Sequence, residues 1–133
     1  MSALLLAAAI ADAVAVAVHG GVGHRWLADQ LRETTLPPSA LFGDADVGRR
    51  VLWVTWHAVT ALFAVSGGAL LATSAGWVDH SAAMLRFIAL LHGAVLLVGA
   101  VCLVRRLDAL LRPVPPVFVA CMSTVAIAAW FAA

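Results

Sequence analysis

The chain has 133 residues, 64% hydrophobic and 11% charged, with a mean hydropathy of +1.03. A soluble domain of this length cannot bury so large an apolar fraction, so composition excludes water as the main solvent and points to a single domain in a lipid bilayer. A net charge of +1 without a basic run excludes a nucleic-acid partner, and Cys102 and Cys121, with no C-x-x-C pair, supply neither a disulfide framework nor a zinc site.

The first apolar segment, residues 3–19, is interrupted only by Asp12. It has no basic stretch ahead of it and an aspartate in its middle, so it reads as a retained helix and not as a cleaved signal peptide. The glycines of H-G-G-V-G-H are expected to end it, because flexible backbone after a periodic run commonly terminates a helix. Residues 24–34 then set Trp26, Leu27 and Leu31 against Arg25, Asp29, Arg32 and Glu33, which predicts a short amphipathic segment lying in the interface. Pro37 and Pro38 stop any helix, and the loop after them carries Asp46 as the expected N-cap of the next span. Asp44 and Asp46 form a D-x-D, but no downstream glutamate completes a calcium loop, so turn and cap chemistry accounts for both.

Residues 51–75 form the second span and enclose His57. Arg50, Trp53, Thr60, Ala61, Ala64 and Gly68 share its helical face, which is small and polar, while Leu52, Val59 and Leu62 lie opposite. Small residues let membrane helices approach closely, so the His57 face is expected to meet other helices and the leucine face to meet lipid. A connection over about residues 76–81 makes the second and third spans expected neighbours. The third span, residues 83–104, holds Arg86 and His92. A charged turn and P-V-P-P lead into the fourth, residues 116–132, where proline in a first helical turn costs little. The five tryptophans lie near span ends and read as interfacial anchors. The expected fold is therefore all-α: an integral membrane four-helix bundle of antiparallel up-down topology.

Arginine supplies all eight basic residues, and an Ala-, Val- and Arg-rich, lysine-free chain is a composition habit of bacterial genomes of high GC content. Arg25, Arg32, Arg49, Arg50, Arg105, Arg106 and Arg112 fall on one side of the four spans, with Arg86 alone on the other. The positive-inside rule then makes the Arg-rich loops cytoplasmic and both termini external or periplasmic, in a multi-pass protein of the bacterial inner membrane.

Ionisable groups within spans mark the candidate site, because leaving them in lipid is expensive. Counted from the Arg-rich side at about 1.5 Å per residue, Asp12, His57 and Cys121 all come out roughly 10 Å deep. Asp12 and His19 share a helical face, and His24 stands at its mouth. The expectation is contact between Asp12 and His57, with His19, His24 and Cys121 around them, in a pocket for a proton, an ion or a small head group such as that of a quinone. No ligand spacing supports a metal. His92, a secondary candidate, lies about 18 Å deep on the same scale, so a haem iron held between His57 and His92 is not expected, and a carbonyl partner is. The bland alternative is that these groups only fix helix packing.

The strings H-G-G-V-G-H-R, L-P-P and V-L-W-V-T-W-H-A-V-T-A-L, spanning residues 18–62, resemble an uncharacterised family of small four-helix bacterial membrane proteins. In that family a glycine-rich turn and a proline-containing loop precede W-H-x-x-T on the second helix. The resemblance implies four spans and no particular activity, and leaves enzyme activity and cofactors open. Three functions compete. One is a small membrane protein with a polar Asp/His pocket. Another is an accessory or assembly subunit whose small-residue faces pack into a homo-oligomer or a larger membrane complex. The third, an exporter of small-multidrug-transporter type, sits poorly with the arginine asymmetry, since such transporters often insert in both orientations.

Overall fold

The computed structural model describes residues 2–33, 45–103 and 114–133, and among them all regular structure is helical. Helix α1 (Ala3–Val16) starts where the Ser2 hydroxyl accepts from Leu5 N–H. It passes through a π-helical turn (Ala17–Val22) into α2 (Gly23–Glu33), and three further helices follow: α3 (Ala45–Ala75), α4 (Ala82–Leu103) and α5 (Val114–Ala132). Four helices are long and apolar enough to cross a membrane: Ala3–Arg32, Ala45–Ala75, Ala82–Val101 and Pro115–Ala132. Asp44, Arg105, Arg106 and Arg112 lie outside the described residues.

The first correction concerns the glycines. They do not end the helix: Gly23 keeps α-helical dihedrals, and its N–H donates to Val18 O five residues back, the bond of a π-turn. The physical reason is close approach. A Cβ on Gly23 would lie 2.4 Å from Trp56 Cζ2, and one on Gly20 would lie 2.8 Å from Thr60 Cγ2. Here glycine removes bulk between helices, a role that local sequence does not distinguish from chain breaking. Asp46 is also displaced from its expected place, standing inside the first turn of α3 and paired with Arg49 at 3.1 Å.

A second correction concerns neighbours. Among the described residues the close backbone pairs are α1 with α3, α1 with α5, and α4 with α5, whereas α3 and α4 are not closely packed despite their short connection. A turn fixes only helix ends; small side chains decide which backbones meet. Ala8, Ala9 and Ala15 on α1 and Ala128 and Ala129 on α5 are all buried. The α1–α3 contacts run from Ser74 Oγ donating to Ser2 O, through Ser66 against Asp12, to Trp56 Nε1 donating to His19 O. The turn after α3 closes as a Schellman motif. Gly76 is at φ +78°, its N–H donates to Thr73 O, and Trp77 N–H donates to Ala72 O.

The third correction rotates α3. Its buried face runs through Phe63, Ser66, Leu70, Thr73 and Ser74, while His57, Ala61, Ala64 and Gly68 are exposed. Val59, expected to face lipid, instead packs beside Phe63. One core cluster joins Leu5, Ala8 and Ala9 to Leu70, Leu85, Ile88 and Val125, and a second joins Ala15, Phe63, Cys121 and Met122. Only 22% to 28% of each candidate span is buried, so long apolar side chains line the outside of all four.

Candidate functional site

The only fully buried carboxylate among the described residues is that of Asp12, on α1. Its two oxygens reach two other helices: Ser66 Oγ on α3 lies 2.7 Å from Oδ2, and His92 Nε2 on α4 lies 3.1 Å from Oδ1. Asp12 and His92 have no exposed surface and Ser66 has 5%. His92 Nδ1 stands 2.8 Å from Ile88 O, one helical turn back. A carbonyl oxygen only accepts, so Nδ1 carries a hydrogen and donates it there. Nε2 of a neutral ring is then bare and faces an oxygen. Asp12 and His92 therefore need one shared proton, carried either as a carboxylic acid against a bare Nε2 or as a carboxylate against an imidazolium.

Ser66 completes the unit. Its hydroxyl also lies 3.0 Å from Leu62 O and 3.1 Å from Phe63 O, but it has a single proton and the carboxylate is the shortest and strongest acceptor. Gly67 lies against the same aspartate, where a Cβ would come within 3.5 Å of Oδ2. Its other side lines an open groove of about 370 Å³ between α1 and α3, with Ala9, Ala13, Phe63 and Ala64.

His57 is not part of this unit, which corrects the expected Asp12–His57 contact. Asp12 stands level with Ser66, nine residues or about 14 Å further along α3 at the usual helical rise. The depth count failed because it took His19 as the end of the first helix, when the helix runs on through the π-turn. Counted from the opposite ends, Asp12 from Ser2, Ser66 from Gly76 and His92 from Ala82 are each about ten residues in, or ~15 Å. That count would have found Ser66, which the sequence reading missed, and would have raised His92 above His57.

The other candidates fall into two groups near the π-turn. His19, half-buried, shares a hydrogen bond of 2.8 Å between its Nδ1 and Thr60 Oγ1, and the Thr60 hydroxyl also lies 3.2 Å from Trp56 O. Its ring stacks on Trp56 with centroids 4.0 Å apart, and Phe63 and Phe118 lie at 5.8 and 6.0 Å. Phe63 also contacts the His92 ring at 5.5 Å, so one aromatic side chain links the two layers. His24 and His57, both exposed, stand together with Trp53. Cys121 is buried in the apolar cluster of Ala15, Phe63 and Met122. No three His, Cys, Asp or Glu side chains converge to metal-binding distance among the described residues. Compared with known proteins, the chain matches no family model, no curated protein and no solved structure.

Proposed function

We propose that this chain is a small, multi-pass bacterial inner-membrane protein, an antiparallel up-down bundle whose Asp12–His92–Ser66 unit binds one proton within the bilayer. The carrying observation is the geometry: Nδ1 lies 2.8 Å from Ile88 O and Nε2 lies 3.1 Å from Asp12 Oδ1, which supports a hydrogen held between the carboxyl and the ring. The outward apolar faces support the bilayer as the surrounding medium, and the order of the α1–α3 contacts supports the antiparallel arrangement. The Gly67 groove supports access, because one glycine separates it from the carboxylate. Isotope-edited infrared spectra of Asp12 together with nitrogen NMR of His92, in mild detergent, read the proton count directly. One proton on the pair is expected. An ionised carboxylate facing a bare Nε2 would end this reading.

The second reading is an accessory subunit of a homo-oligomer or larger complex, with no chemistry of its own. It is favoured by the completeness of the network, in which both oxygens of Asp12 and both nitrogens of His92 already have partners. Reconstitution into vesicles separates the two. Proton flux abolished by Asp12→Asn belongs to the first, and a partner retained equally by wild type and Asp12→Asn belongs to the second.

A further inference from the structure

We propose that His24 on α2 and His57 on α3 form a two-imidazole clamp for a divalent transition-metal ion of the Cu²⁺ or Zn²⁺ type, with water in the remaining positions. The ring centroids are 5.4 Å apart, with planes inclined at 45°. Two imidazoles on one tetrahedral ion, at metal–nitrogen bonds of about 2.0–2.1 Å, hold their centroids roughly 5 Å apart, so small side-chain adjustments close the site. The nitrogens are also available. His19 and His92 commit ring nitrogens to Thr60, Ile88 and Asp12, whereas neither ring of the His24–His57 pair has a hydrogen-bond partner among the described residues. Both side chains are exposed, so an ion enters without unfolding anything.

Ring chemistry selects the ion. The aromatic neighbours of the two imidazoles are each other and Trp53, whose centroid lies 4.8 Å from His24 and 5.3 Å from His57. Imidazole donors prefer borderline ions such as Cu²⁺ and Zn²⁺ to Ca²⁺ or Mg²⁺. The indole, stacked on His57 at an interplanar angle of 10°, limits ring rotation and keeps the pair oriented. Among the described residues no third His, Cys, Asp or Glu side chain converges on the pair, so water completes the shell. A bound ion would pin α2 to α3 across the π-turn.

The test is a Cu²⁺ titration of detergent-solubilised full chain, purified without a histidine tag and followed by electron paramagnetic resonance. One Cu²⁺ per chain with hyperfine structure from two nitrogens is expected. His24→Gln and His57→Gln should each weaken binding by about tenfold or more and leave at most one of these nitrogens. His80→Gln, an exposed imidazole beyond the far end of α3, should change nothing. Circular dichroism identical to wild type establishes that the variants are folded. The clamp is overturned by a wild type without the two-nitrogen species, by either substitution leaving the spectrum and affinity unchanged, or by His80→Gln matching their effect.

Discussion

At Asp12, two substitutions that both remove the carboxyl group have different expected outcomes. In Asp12→Asn the amide N–H can donate to the bare His92 Nε2 while the amide oxygen accepts from Ser66, so both bonds survive and only the acidic proton is lost. Stability within about 1 kcal/mol of wild type is expected, measured by titration with a denaturing detergent in mixed micelles. Asp12→Ala leaves Nε2 buried without a partner and opens a void, with a loss of about 3 kcal/mol. Equal losses for the two would show that the assigned tautomer is wrong. The sequence marked Asp12 as costly in a bilayer, but its partners lie 54 and 80 residues away, and no local pattern names them.

Within single elements, the glycines separate two roles that look alike in sequence. Gly23→Ala drives a Cβ to 2.4 Å from the rigid Trp56 indole, and should cost about 1–3 kcal/mol while loosening the π-turn from α3. Gly21→Ala, two residues away with nothing within 4 Å, should be neutral or stabilise by up to about 1 kcal/mol through helix propensity. Thermal unfolding of the two variants side by side checks this, and a reversed order would refute the packing role. Gly76 differs again: its φ of +78° closes α3, so Gly76→Ala should lose about 1–2 kcal/mol despite open space around it. Removal of a side-chain clash elsewhere should not rescue that variant, since the strain lies in its own backbone.

For the whole molecule, the proposed orientation rests on charge. If the proposed antiparallel four-span arrangement places seven arginines on one side and one on the other, a reporter fused after Ala133 should be active only outside the cytoplasm, and one inserted near Asp79 likewise. Cytoplasmic activity at either position would reverse the topology. Hydropathy and length were enough to specify the helical class, the four apolar helices and the short turn at Gly76, because each depends on residues within one segment. The sequence also marked Asp12 and the histidines as exceptional, since polar groups stand out in apolar runs. Which way α3 turned was not available locally: a face of Ala61, Ala64 and Gly68 competes with one of Phe63, Ser66 and Leu70, and both suit a helix interface. Only three-dimensional packing chose, by setting Ser66 against Asp12 and leaving His57 outside with His24. Hydropathy is a property of single segments, whereas the contact of Asp12 with Ser66 requires the relative shift of α1 and α3, set where Gly20, Gly23 and Gly67 leave room for Thr60, Trp56 and Asp12.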